Sequence, residues 1–286
     1  MKLHPPPKQT LVCGNKSLDL SRPQVMGILN ATPDSFSDGG RFNHLNDALK
    51  HAEQMLNDGA TILDIGGEST RPDAKVVSLQ EELDRVVPLV EAISHRFDTI
   101  LSIDTSTPEV FTSAAQAGAA IWNDVRALTR PNALVVAAKL DLPVVLMHMR
   151  GEPATMNDLA VYEDVTGEVQ IELKERINAA LNAGIRRENI ILDMGFGFAK
   201  NTTQSLQLLD ELWQLNELGF PLLMGISRKR VLGEILGGAA VHDRLYAGLS
   251  AALLGVQQGV SMIRTHDVRA TVEMLAVFNQ LPSSHS

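Results

Sequence analysis

A single cysteine, Cys13, stands in a chain of 286 residues. One thiol makes neither an internal disulfide nor a thiolate metal cluster, and an inert thiol in a reducing compartment is its plain reading. No apolar run approaches the roughly 20 residues that span a bilayer, so the sequence offers no transmembrane helix. Basic residues are in deficit, 25 Lys and Arg against 34 Asp and Glu, for a net charge of -9. That balance argues against coating nucleic acid or anionic membrane, although a few local cations suffice for one phosphate group. The start, MKLHPPPKQT, lacks the apolar stretch of a signal peptide and reads as a flexible leader over 1–10 of a cytoplasmic protein.

What is present is repetition, in a chain whose 44% apolar content can bury a large core. Eight short apolar runs, Val25–Leu29, Thr61–Ile65, Thr99–Ile103, Ala120–Trp122, Val144–Met147, Ile190–Leu192, Leu222–Gly225 and Val260–Ile263, alternate with helical patterns. The first helix carries Leu45, Ala48, Leu49, Ala52, Met55 and Leu56 at helical spacing. The second opens at Ser78, with Glu81 completing a capping box. Thr107 and Pro108 read as N-cap and first position of the third. Leu206, Leu209, Leu212 and Leu215 read as the stripe of one helix, and Asp267 as the cap of the last. Strands buried on both faces should be continuously apolar, and no Pro, Gly or Ser-rich linker divides the chain. The pattern predicts the α/β class: one (β/α)8 barrel domain over 1–286, with Leu11–Leu20 as a short N-terminal hairpin that turns at Gly14 and Asn15 and plugs one end. A doubly wound open sheet competes, but it more often stops at five to seven strands and carries a glycine fingerprint after the first.

Polar residues fall where the runs end: Asn30, Asp64, Asp104, Asn123, His148, Asp193 and Arg264, with Lys229 just beyond the seventh. In a barrel these points form one ring at the C-terminal mouth, where active sites of this architecture are built. The chain leaving the core explains any one of them. Three carboxylates and two amides facing one mouth are costly unless a ligand with donors and acceptors fills it. A flat, amide-bearing heterocycle suits them: Asp193 and Asn123 match an aminopyrimidine edge, Lys229 a ring nitrogen or carbonyl, and Asp104 positive charge developing nearby. Asn30, Arg264 and His266 suit phosphate oxygens and a divalent cation. Mg2+ keeps several of its waters, so one Asn with a diphosphate is enough. No HxH or HxxxH spacing supports zinc at His266, and His148 reads as a supporting imidazole. In the loop NATPDSFSDGG one aromatic, Phe36, is stranded among small polar residues; a surface hairpin and a functional loop explain it equally. Gly195 and Gly197 are too irregular for a dinucleotide fingerprint. They read as letting the loop approach a ligand beside Phe198, a residue that ordinary packing explains as well. Arg228 and Arg230 read as a solvated basic turn, with Lys229 turned inward.

Together, VMGILNATPDSFSDGG, LDIGGESTRP, SIDTS, IWNDV, LMHM, DMGFGFAKN, GISRK and IRTHD, in this order over nearly the whole chain, resemble the dihydropteroate synthases of the pterin-binding barrel family. The resemblance implies condensation of 6-hydroxymethyl-7,8-dihydropterin diphosphate with p-aminobenzoate, releasing pyrophosphate and forming 7,8-dihydropteroate for folate synthesis. In that family Mg2+ helps diphosphate leave first, and the aromatic amine attacks the resulting pterin-methyl cation. By resemblance, Asp104, Asn123, Met147, Asp193, Gly225 and Lys229 hold the pterin, and Asn30, Arg264 and His266 bind the diphosphate, Asn30 through Mg2+. Phe36, Thr70, Arg71, Pro72, Phe198 and Lys229 shape the p-aminobenzoate pocket, which sulfonamides share. Asp104, Lys229 and Asn30 are the implied catalytic residues, and a homodimer the implied assembly. Closure of the loop after Asn30 would exclude water from the cation. Met194 departs from the family pattern, where a proline commonly follows the aspartate, and implies a softer loop.

Two other readings stand beside this one. A pterin-dependent methyltransferase of the same barrel family would keep the pterin amides without TPDSFSDGG and GGESTRP. A non-catalytic pterin-binding paralogue would lose Asn30, Asp104, Lys229 or Arg264. This chain retains all of these.

Overall fold

The computed structural model describes residues 9–31, 41–68 and 77–281. Strands β1 (Thr10–Cys13) and β2 (Lys16–Asp19) form an antiparallel hairpin through a turn at Gly14. Eight parallel strands follow: β3 (Gln24–Asn30), β4 (Ile62–Gly66), β5 (Ile100–Asp104), β6 (Ile121–Asp124), β7 (Val144–Met147), β8 (Ile190–Asp193), β9 (Leu222–Met224) and β10 (Met262–Thr265). They pair in sequence order, and β10 pairs with both β9 and β3, so the sheet closes into a barrel. The helices between them are α1 (Arg41–Asn57), α2 (Leu79–Arg96), α3 (Pro108–Gln116), α4 (Ala133–Leu140), α5 (Val165–Asn182), α6 (Thr202–Asp210), α7 (Trp213–Asn216), α8 (Arg230–Ile235), α9 (Leu245–Gln257) and α10 (Val268–Phe278).

Alternation along each strand sorts the core into two layers. Val25, Leu63, Leu101, Trp122, Val144, Leu192, Met224 and Ile263 lie with the apolar faces of the helices. Met26, Ile62, Ile100, Ile121, Val145, Ile191, Leu223 and Met262, one from every barrel strand, pack inside, and Leu11, Cys13, Leu18 and Leu20 of the hairpin join them. The hairpin is therefore the plug of the N-terminal end. Burial there pushes the Cys13 thiol up to about 12, which keeps it protonated and unreactive. Since the lower layer is apolar, Asp64, Asp104, Asn123, Asp193 and Arg264 all lie in the middle or the C-terminal half of their strands. Among the described residues no helix is long and apolar enough to cross a membrane.

Ser78 and Glu81 form the expected capping box on α2. Two expectations need correction. The leucine stripe after β8 is not one helix. Gln258 inserts its carboxamide between Leu209 and Trp213, donating to the Leu209 carbonyl at 2.6 Å and accepting from the Trp213 N–H at 3.1 Å, the two groups a continuous helix would pair. The chain breaks into α6 and α7, and Leu206 ends 45% exposed. Asp267 does occupy the N-cap of α10, but its side chain caps nothing, because both oxygens are taken by Arg228 at 3.1 and 2.5 Å. Arg228 is thus an ion-paired residue, with φ at +58°, and not part of a solvated turn.

Candidate active site

The inner faces of β4, β5, β6, β8 and β10 carry a network at the C-terminal mouth of the barrel. Asp64 is wholly buried, and its Oδ2 accepts from Arg264 Nε at 2.6 Å and from Asn123 Nδ2 at 3.1 Å. Arg264 Nη2 also donates to Asp104 Oδ2 at 2.8 Å, so one guanidinium ties β10 to β4 and β5 across the interior. One N–H of the Asn123 amide is committed to Asp64, which leaves its carbonyl oxygen and second N–H for a ligand. Asp193 Oδ1 accepts from the Gly195 N–H at 2.7 Å. Its Oδ2 points toward Gly225, where a Cβ would lie 3.9 Å from it and 3.8 Å from Arg264 Cδ. Met147 packs with Phe198 and Ala199, and Lys229 Nζ sits 4.1 Å from the Phe198 ring centre, a cation–π contact.

Desolvation dominates the electrostatics. Burial pushes the Asp104 carboxyl up to about 7 against the pull of Arg264, and raises Asp193 as well. It lowers Lys229 to about 8, helped by the charge of Arg264. Burial also opposes charge on Arg264, but Asp64 and Asp104 outweigh it and keep the guanidinium cationic. His266 is lowered to about 4 by burial and by Arg228, and its Nδ1 lies 3.1 Å from Ser227 Oγ. It is a neutral imidazole at physiological pH. Asp64 Oδ1 and Ser102 Oγ, on residues paired in register between β4 and β5, have no partner among the described residues. An acceptor and a hydroxyl on neighbouring strands are therefore buried without partners among the described residues.

The structure brings Asp104, Asn123, Asp193, Lys229 and Arg264 together, with Gly225 beside Asp193 and Met147 beside Phe198. Asn30 stands exposed at the end of β3. Phe36, Thr70, Arg71, Pro72 and the loop closure expected after Asn30 lie outside the described residues. Gly195 has a different purpose from the one expected: at φ +66° a Cβ there would overlap the His148 carbonyl oxygen, so the glycine serves packing within the protein. Met194 is fully buried in the outer core. Two residues were not assigned a role from sequence. Asp64 was visible only as one more polar strand residue. Lys200 is 4% exposed, and its one hint was a lysine closing the apolar, glycine-rich run GFGFA.

Among the described residues no group of three or more His, Cys, Asp or Glu is placed to hold a metal ion. The residue that could hold a hard divalent cation is Asn30, through its amide oxygen, which would be one ligand of several.

Residues 26–266 match the family described as pterin binding enzyme. The dihydropteroate synthase of Haemophilus influenzae is 52% identical over 268 residues, covering 94% of this chain and 97% of that protein. The solved Xanthomonas albilineans dihydropteroate synthase with 4-aminobenzoic acid superposes with a TM-score of 0.92 at 46% identity, over 97% of this chain and all of that one (100%). The Yersinia pestis dihydropteroate synthase in complex with a sulfonamide drug gives 0.90 at 49% identity, over 95% and 98%. Barrel and sequence agree with these proteins along nearly the whole length, and the chain belongs to the pterin binding enzyme family, among the dihydropteroate synthases.

Proposed function

We propose that the barrel mouth carries out the dihydropteroate synthase reaction by binding the pterin diphosphate on the buried network and the p-aminobenzoate beside Phe198 and Lys229. The observation that carries this reading is the mixed ring of Asp104, Asn123, Asp193, Lys229 and Arg264 around one opening. Asp193 Oδ2 and the Asn123 oxygen are acceptors for the amine and N–H edge of a 2-aminopyrimidine. Lys229 donates to the ring carbonyl or a ring nitrogen, and Met147 and Gly225 leave a flat space for the ring. Arg264, Asn30 and the neutral His266 face the diphosphate, and with Ser227 donating to Nδ1 the imidazole offers Nε2–H to a phosphate oxygen. Asn30, together with the substrate's own oxygens, would hold Mg2+, which would supply charge neutralisation for the leaving pyrophosphate.

Asp104 lies where the exocyclic methylene would become cationic. Its carboxylate, in a site of low dielectric, stabilises that charge more than it stabilises the neutral ground state. The C–O bond to the diphosphate breaks first, pyrophosphate departing with its electron pair; the amine of p-aminobenzoate then attacks the methylene cation, forming the C–N bond and losing one proton. Phe36, Thr70, Arg71, Pro72, Phe198 and Lys229 are the residues read as its pocket, and a sulfonamide occupies the same space. Apolar side chains left exposed along and between α8 and α9, including Ile235, Leu236, Val241 and Tyr246, support a homodimer. A cytoplasmic location and a single domain over 1–286 complete the reading. The test is direct: the protein is mixed with pterin diphosphate, Mg2+ and p-aminobenzoate, and stoichiometric pyrophosphate and dihydropteroate are expected. No product at any substrate concentration would overturn the assignment.

A further inference from the structure

Lys200 follows the Gly-rich turn after β8, is almost completely buried, and enters no step above. Its ammonium has three N–H donors and three acceptors: His148 Nδ1 at 2.8 Å, the Phe198 carbonyl at 3.1 Å and the Gly195 carbonyl at 3.2 Å. A buried cation is tolerated only when its donors are met in this way. The arrangement fixes the imidazole tautomer. Nδ1 accepts from Lys200, so Nε2 carries the proton and donates to Glu172 Oε2 at 2.9 Å. Glu172 is held in turn by Arg150, which also pairs with Glu168 at 2.6 Å. The lysine charge is thus answered through one imidazole by a carboxylate on α5.

The segment that Lys200 grips is unusual in its backbone. Gly195, Gly197 and Ala199 all have positive φ, at +66°, +76° and +48°. For Ala199 this conformation is strained, and it persists only where surrounding contacts impose it. Lys200 reaches back to the carbonyls of both ends of the turn, and the Phe198 N–H donates to the Gly195 carbonyl at 3.0 Å. Between those anchors sits the Phe198 ring, on the Lys229 ammonium.

We propose that Lys200 is a positioning residue for the aromatic-amine subsite: it locks the 195–199 turn and so fixes the Phe198 ring against Lys229. This rests on the reading of Phe198 as a wall of the p-aminobenzoate pocket. Asp193 ends β8 and is held mainly by its strand; of the turn it touches only the Gly195 N–H, whereas Phe198 lies wholly within the turn, so loss of Lys200 falls on the amine subsite before the pterin site.

Steady-state kinetics of the full chain and of Lys200→Met, which keeps length and loses the donors, test the proposal. KM for p-aminobenzoate should rise tenfold or more, with KM for the pterin diphosphate changed less than twofold. Lys200→Gln, which keeps two donors on a shorter stem, should give a smaller rise in the same constant; it decides alone if the Met variant does not fold. A general structural role would lower the melting temperature or kcat with both KM values intact. That result, or equal rises in both, overturns the proposal. A wild-type protein that forms no dihydropteroate overturns the functional reading instead. Amide exchange across 195–200 then still decides the loop claim, which fails if exchange in either Lys200 variant is no faster than in wild type.

Discussion

Arg264 Nε donates to Asp64 Oδ2 at 2.6 Å, and the same oxygen accepts from Asn123, so one buried carboxylate orients two residues of the barrel mouth. Removing it leaves a buried guanidinium with half its compensation. Breaking a buried pair in this way costs about 3–5 kcal/mol. We expect Asp64→Ala to lose that much in denaturant unfolding. A loss below about 1 kcal/mol would mean that solvent reaches the pair and that Asp64 orients nothing.

Asp104 separates charge from shape. Asp104→Asn keeps the outline of the mouth and an acceptor for Arg264, but removes the anion facing the methylene. Turnover should fall by about 100-fold or more, the scale of losing one preorganised electrostatic partner, while binding of the bare pterin changes by less than threefold. Equal losses in both would refute the role. A pH signature accompanies it. Burial raises the carboxyl to about 7, so below that pH it is protonated and neutral. Turnover should therefore decline as pH falls through that region, and the decline should be absent from the residual activity of Asp104→Asn.

Much of this was legible because a parallel barrel makes simple demands. Strands buried on both faces must be apolar, so the eight runs stood out, and the polar residue closing each run marked the mouth. Asp104, Asn123 and Asp193 were found on that ground alone. Asp64 was seen but not understood. It sits within β4, and its partners Asn123 and Arg264 lie 59 and 200 residues away, brought near only by closure of the barrel. The break between α6 and α7 was hidden for the same reason: its cause, Gln258, belongs to the end of a later helix. Lys200 shows the limit most clearly, since nothing in its local sequence says that three acceptors from two loops will surround it.

Arg264 is tied to the carboxylates of Asp64 and Asp104, and the proposed mechanism gives it a second task at the diphosphate. Deleting the side chain would strand Asp64 and Asp104 and confuse the two. Arg264→Lys keeps the charge but cannot serve two directions at once, because its single ammonium lacks the planar fork. KM for the diphosphate-bearing substrate should rise about tenfold, worth roughly 1.4 kcal/mol, while bare pterin binding shifts less than threefold by calorimetry. A matching loss for the bare pterin would place Arg264 at the ring and not at the phosphates.

Glu172 gives the relay behind Lys200 its own pH window. Burial alone would raise this carboxyl, but hydrogen bonds from His148 and Arg150 outweigh it and lower it to about 2. A folded pKa below the ordinary value means that the unfolded chain binds the proton more readily, so the contribution is complete above about 4.5 and fades as pH falls toward 2. His148, held near 4 by burial and then by the charge of Lys200, loses its own share of stability as pH falls from 6.5 toward 4 in wild type and variant alike, and takes up its proton inside the Glu172 window. Denaturation midpoints of wild type and Glu172→Gln should differ most near neutral pH and converge on acidification, wild type being the more stable. Curves that stay parallel down to pH 3 would show that the carboxylate charge does not support the turn that holds Phe198.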